Sequence, residues 1–401
     1  MTRVLITGLG PVSSIGIGAA AFESGLRAGH CGIRPIGSFD TTGFPRVLGG
    51  EVQVFDAGSI LSRIEPEEWG RSSQFAAAAA RLAARDAGLQ WERIDPERVS
   101  VVIGTTSGEA KVTEMFAQQL VGGGFEGVDP DIARRLPADR LSSAVSAELD
   151  AHGESMTIAT ACSASNYALG YAYDLIVSGE ADVVFSGGAD SVCRWAHAGF
   201  LRLGAVAERT CSPFDRDRTG MVTAEGGSML VLEKAELARA RGAVPYAEFL
   251  GYASNCDATH MVMPNASSIA DCISAAHETA GVKTGDVDYV CAHGTGTPAN
   301  DVTEAQALYE AFGGDVPPVS SIKSMLGHTM GAASGFGAIA SALAIARGFL
   351  PPTIGWSTPD PEMAWLDPIP NRHRQAPVRV AQNNGFAFGG NNAIVMLGAA
   401  S

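Results

Sequence analysis

"SMTIATACSASNYALGYAYDLIVSGEADVVFSGGADS", Ser155–Ser191, reads as a strand, a turn, a helix and a second strand. An apolar run ends at Thr160, a helical segment follows, and "DVVFSGGADS" returns to strand character. A strand–helix–strand unit of this kind asks for a sheet covered by helices. Cys162 stands at its first turn, just where the helix begins. There it is either a small buried side chain, the common fate of cysteine, or a thiol whose thiolate is favoured by the free N–H groups and dipole of a helix N-terminus.

The same alternation continues on both sides. "TRVLITGLG" (Thr2–Gly10) and "RVSVVIGTTSG" (Arg98–Gly108) are β-branched runs ending in glycine, as buried strands entering loops do. Between them "SSQFAAAAARLAARDAGL" predicts a helix with Ser72 or Ser73 as N-cap, Gly88 as its stop and an alanine face packed closely on another element. "GGSMLVLEKAELARARGA" adds a strand and a helix. After Pro245 the order starts again, from "SSIADCISAAHETAGV" through "VDYVCAHGTGT", "TEAQALYEAFG" and "GAASGFGAIASALAIARG" to a last strand in "NAIVMLGAA". The repeated order hints at duplication, and the absence of a low-complexity linker predicts tight packing of the halves.

With 401 residues, 46% of them hydrophobic, the chain can bury a large core. Its 48 glycines cluster in "SGGAD", "HGTGT" and "FGGNN", which favours turns around a site over a fibre. A net charge of −15 argues against general nucleic-acid binding, which depends on neutralising phosphates. Glycine, serine and charge break the apolar runs below the roughly 18 residues of a membrane span, and "MTRVLITGLGPV" lacks the long apolar region of a signal peptide. The expectation is a cytoplasmic protein without membrane contact. Seven cysteines with no CxxC give neither a disulfide framework nor a zinc site, so no metal is expected.

Two further loops carry chemistry. "CAHGTGTPANDVTE" (Cys291–Glu304) places His293 at a strand end among small and hydroxyl residues, and "SIKSMLGHTMGAASG" (Ser321–Gly335) carries Lys323 and His328 before a Gly/Ala-rich helix. One histidine at a strand end is more often structural; two in such loops, with a cysteine poised the same way, suggest a reactive centre. "NNGFAFGGNNA" (Asn383–Ala393) makes a poor strand, and reads either as a mobile gate whose glycines present N–H groups or as a tight turn with core aromatics.

Together these segments resemble the β-ketoacyl-acyl carrier protein synthases of the thiolase superfamily, especially elongating condensing enzymes and type II polyketide ketosynthases. The resemblance runs from "VLITGLGPVSSIG" to "NNGFAFGGNN", with the nucleophile turn, both histidine loops and the Gly-Phe segment in the family's order, and with "SPFDRDRTGMVTAEGGSMLVLEKAE" as a further signature. It implies an α/β fold of duplicated βαβαβαββ halves, 1–245 carrying the nucleophile and 246–401 the histidine pair and Phe gate, in five αβαβα layers. It also implies decarboxylative condensation of a Cys162-bound acyl chain with malonyl-acyl carrier protein. By the same resemblance, His293 and His328 are the histidine pair, Lys323 and Glu304 a lysine and its partner carboxylate, and Phe388 the gate. The N–H groups of Cys162 and Phe388 form the oxyanion hole, and Thr295 and Thr297 touch the phosphopantetheine arm. No cofactor is implied beyond the carrier-borne substrate; the partners are an acyl carrier protein and a second subunit, in a homodimer or a heterodimer with a chain-length factor.

Several positions depart from that pattern. Ser107 replaces a larger apolar residue of the acyl pocket, which Phe200 is also expected to line, and so points to a different acyl chain such as a polyketide or polyene intermediate. "EPEEWGRSS" surrounds Arg71, a docking candidate, with acids that repel an acidic carrier. Arg202, together with Arg194, Arg209, Arg216 and Arg218, offers a compensating patch. Met221, Ala224 and Ala387 are further departures. Three rival readings stand beside the specialised ketosynthase: a housekeeping fatty acid elongation enzyme, a non-catalytic chain-length factor, and, last, a degradative thiolase.

Overall fold

The computed structural model describes residues 2–400. Ten strands follow one another across a continuous sheet: β1 (Val4–Leu9), β2 (Val99–Gly104), β3 (Ser155–Ile158), β4 (Val183–Asp190), β5 (Gly226–Lys234), β6 (Ala247–Cys256), β7 (Tyr289–Cys291), β8 (Val319–Ser320), β9 (Val380–Phe386) and β10 (Asn391–Gly398). Their spatial order is β8-β7-β9-β10-β6-β1-β5-β4-β2-β3, with a small hairpin, Val12–Ser13 and Gly16–Ile17, attached at Gly227 of β5. Divided between β6 and β1, each half has the order third, second, fourth, fifth, first. In both, the third and fourth strands flank the second in parallel, and the remaining pairings are antiparallel. The hint of duplication thus appears as a repeated topology, and β1 and β6 join the halves through the antiparallel pairs Val4↔Phe249 to Ile6↔Ala247.

Helices make the remaining layers. Arg71–Asp86 and Arg140–Leu149 cover the outer face of the first half-sheet, and Ala266–Ala280, backed by Pro298–Ala311, covers that of the second. Ala164–Val177 and Ala333–Arg347 lie between, each touching strands of both halves. This is the thiolase-like αβαβα arrangement. Every residue of β1, β2 and β4 is buried, which is why their sequences are continuous apolar or small-residue runs and not alternating ones.

The helical segment Met330–Arg347 is long and apolar enough to cross a bilayer, with a mean hydropathy of 1.3, yet 83% of it is buried inside the fold. The reading that no apolar run reaches this length took its glycines for interruptions, whereas they serve close packing. A Cβ on Gly335 would stand 2.2 Å from Ser228 Oγ.

Two local expectations change. Neither Ser72 nor Ser73 caps its helix, which starts at Arg71 after Gly70; the N–H groups of both serines donate to the buried Glu109 carboxylate, at 3.3 and 2.8 Å. Nor is "NNGF" a poor strand. It lies within β9, between β7 and β10, and its asparagine amides find partners in Asn166 and Glu304.

Candidate active site

Cys162 sits in a single 3-10 turn, Ala161–Ser163, between β3 and the central helix Ala164–Val177. The residue before it, Ala161, has φ 50°, an uncommon and strained conformation for a residue with a Cβ, at the elbow where the chain passes from β3 into the helix. Burial pushes the Cys162 thiol up to about 12, against the charge of Lys323 and the N–H groups of Cys162 and Phe388, which favour the thiolate. The helix N-terminus therefore does not lower the thiol in the resting site, because the thiol is buried.

His293 and His328 enter from the other half. His293 follows β7 and its ring stands edge-on to that of His328, with centroids 5.5 Å apart. Burial, then the Lys323 charge, holds both rings well below 6.5, so both are neutral. The Met330 N–H donates to His328 Nδ1 at 3.1 Å, which leaves the proton of the neutral ring on Nε2 as a donor. His293 Nδ1 is buried without a partner. Because unfolded histidines titrate near 6.5 and these do not, the unfolded chain binds more protons as pH drops below 6.5, and stability falls there. The expected slope is up to about 1.4 kcal/mol per pH unit for each ring. Denaturation of the wild type and a His293→Asn/His328→Asn double variant from pH 7.5 to 5.5 checks this: the wild type should lose stability more steeply.

Lys323 is not paired with Glu304. Its Nζ donates to the His293 carbonyl oxygen at 2.5 Å, and burial lowers its pKa, opposed by Cys291 and Glu304. Glu304 instead accepts the His293 and Gly294 N–H groups, at 2.8 and 2.7 Å, and the Asn384 amide at 2.9 Å. Burial raises its carboxyl despite these donors. Both groups thus grip the His293 backbone from opposite sides, the lysine at its carbonyl and the carboxylate at its N–H. Asn384 and Met330 are contributors that the sequence did not single out; the only sign of Asn384 was its place in the asparagine pair before the Phe segment.

Cys162, His293 and His328 line one cavity of about 80 Å³, with Thr295, Thr297 and Phe388. Thr295 and Thr297 hydroxyls bond each other at 2.8 Å. Phe200 also lines the cavity, its ring 6.0 Å from that of Phe388. Ser107 does not; its N–H donates to Asp190 at 3.0 Å, behind the site. Of the docking candidates, Arg71 is engaged inside the fold, paired with the fully buried Glu225 at 2.6 Å and laid over the Phe75 ring. Arg218 is likewise buried against Asp360 at 2.6 Å, since a buried carboxylate needs a cation. Arg202 alone of these three is exposed, at the end of the helix Arg194–Arg202.

A buried thiol at a strained elbow, two neutral imidazoles and a buried lysine, held where two halves of repeated topology meet, define a condensing enzyme of the thiolase fold. The chain belongs to the β-ketoacyl synthase family: residues 1–238 match the beta-ketoacyl synthase N-terminal domain and residues 246–357 the C-terminal domain. It is 38% identical over 401 residues to 3-oxoacyl-[acyl-carrier-protein] synthase 2 of Synechocystis sp., covering 97% of this chain and 96% of that protein. The Staphylococcus aureus synthase of the same name is 36% identical over 404 residues, with 98% and 97% coverage. Among solved structures, the ishigamide ketosynthase/chain length factor superposes with a TM-score of 0.98 at 46% identity, over 100% of both chains. A type II polyketide acyl-carrier protein in complex with its ketosynthase bound to the hexaketide gives 0.92 at 31%, again over 100% of both.

Proposed function

We propose that Cys162 is the acylated nucleophile, that His293 and His328 are the donors to the enolate, and that this chain is the catalytic ketosynthase of a specialised polyketide or fatty acid pathway. In the first half-reaction the Cys162 sulfur attacks the thioester of an acyl-carrier protein; the acyl–sulfur bond to phosphopantetheine breaks and the carrier leaves as its thiol. The thiol proton passes through a neutral imidazole of the same cavity to the departing phosphopantetheine sulfur, so that the imidazole is neutral again for the second half-reaction. The N–H groups of Cys162 and Phe388, which favour the thiolate, are placed to receive the oxyanion formed two bonds from the sulfur.

In the second half-reaction malonyl-carrier protein loses carbon dioxide, and the enolate oxygen takes N–H bonds from the two histidines. The enolate carbon then attacks the acyl-cysteine; its carbon–sulfur bond breaks, the sulfur takes up a proton from solvent, and the 3-ketoacyl chain leaves on the carrier two carbons longer. Lys323 and Glu304 hold the His293 backbone, and Thr295 and Thr297 line the entry for the phosphopantetheine arm. No cofactor or metal takes part in these steps. We assign the units 1–245 and 246–401 to the two halves, and place the enzyme in the cytoplasm, free of membrane and nucleic acid. Its partners are the carrier protein and a second ketosynthase-like subunit, either a copy or a chain-length factor.

The gathering of Cys162, His293 and His328 in one cavity carries this reading. The specialised pathway is favoured over housekeeping elongation by 46% identity to the ishigamide ketosynthase/chain length factor, against 38% to the synthase 2 enzyme of Synechocystis. Incubation with malonyl-carrier and a panel of saturated and polyene acyl-carriers, read by mass spectrometry, tests it. A 3-ketoacyl product with polyene preferred supports the reading; equal or better use of saturated chains returns the enzyme to fatty acid elongation.

Docking is expected to use Arg202 and not Arg71. Arg202→Glu should weaken carrier binding several-fold with unchanged melting, a loss that fades with added salt. Arg71→Ala should leave carrier affinity alone and cost about 2–3 kcal/mol of stability, because it strands the Glu225 carboxylate. Carrier titration and thermal melts of both variants separate the two roles.

A further inference from the structure

Asp190, the last residue of β4, is 1% exposed and lies behind the cavity. Its acceptors are filled by N–H and O–H donors and not by a cation. Oδ1 takes the Thr105 hydroxyl at 2.8 Å and the Ser107 N–H at 3.0 Å; Oδ2 takes the Thr106 N–H at 2.8 Å and the Gly331 N–H at 2.7 Å. A buried carboxylate with no counter-charge is costly, and burial duly raises this one to about 6. A feature that expensive behind a site needs a use.

The use is visible one residue away. Gly331 is gripped at both ends, its N–H by Asp190 and its carbonyl by the Ser165 hydroxyl at 2.5 Å, and a Cβ there would lie 2.5 Å from Thr105 Cα. The grip fixes the preceding residue, Met330, at φ 53°, and it is the Met330 N–H that sets the His328 tautomer. We propose that Asp190, with Ser165, is a positioning clamp on Gly331 that keeps the Met330 N–H on His328 Nδ1 and so keeps His328 Nε2–H directed at the enolate. The clamp acts on decarboxylation; on Cys162 the Asp190 carboxylate acts through its charge, which opposes the thiolate, so acylation is not expected to fall when that charge is removed. This inference rests on the assignment of His328 to the decarboxylation step.

Asparagine is the informative replacement, since it turns an NH₂ group toward donors that in the wild type meet only carboxylate oxygens. In Asp190→Asn, decarboxylation of malonyl-carrier should fall about tenfold or more, while Cys162 acylation followed by intact mass does not fall. Ser165→Ala, which releases only the carbonyl end of Gly331, should show the same selectivity at about threefold, and it decides the matter if the asparagine variant fails to fold. Unchanged decarboxylation, or both half-reactions falling together, overturns the clamp. A wild type active in neither half-reaction would instead overturn the ketosynthase reading beneath it.

Discussion

Cys162→Ala is expected to abolish acyl-enzyme formation and to lower condensation by more than about a thousandfold, while malonyl-carrier decarboxylation continues. The split follows from where the groups sit. The sulfur belongs to the elbow Ala161–Ser163 of the first half, and its loss removes the only atom that can hold the acyl chain in this mechanism. The imidazoles arrive on loops of the second half and keep their backbone anchors, Glu304 and Lys323 for His293 and Met330 for His328. Enolate formation needs only those donors. The other six cysteines offer no substitute, because none of them lines the cavity. Intact-protein mass after incubation with acyl-carrier, alongside carbon dioxide release from malonyl-carrier, reads both halves. Acylation persisting in the variant would place the nucleophile elsewhere, and decarboxylation vanishing with it would tie the sulfur to the enolate step.

The parts of this site that a reader of the sequence can find are those whose geometry is local. Cys162, His293 and His328 each stand at a strand end or before a helix, so short motifs carry them, and the alternation of strands and helices carries the layered fold. What was lost is what depends on distant partners. Arg71 looked like a surface cation because Glu225, which immobilises it, lies 154 positions away. The family resemblance implies Lys323 and Glu304 as partners, yet each instead meets a backbone group of His293, a choice set by loop geometry that spacing does not reveal. The Ser107 N–H donates to Asp190, a contact 83 positions away that its side chain does not announce. Asparagines and glycine disguised β9, whose polar side chains are tolerable in the core only because Asn166 and Glu304 face them.

Variants of His328 should separate the two ring nitrogens. His328→Asn keeps an acceptor near the Nδ1 position, so the Met330 N–H stays satisfied, but it removes the Nε2–H donor. His328→Gln reaches the Nε2 position with an amide N–H and gives up the acceptor. If the ring acts by donating to the enolate oxygen, His328→Asn should lower decarboxylation by about a hundredfold or more, as loss of a preorganised donor does in a water-poor site. His328→Gln should retain substantially more activity, and both should acylate Cys162 within a few-fold of the wild type. The neutral state of the ring sharpens the comparison, because burial and the Lys323 charge keep it unprotonated and a neutral amide is then a fair stand-in. Stopped-flow acylation and decarboxylation rates on the two variants give the answer. A glutamine no better than asparagine would mean that the imidazole works as a base and not as a donor, and the tautomer fixed by Met330 would then point the wrong nitrogen at the substrate.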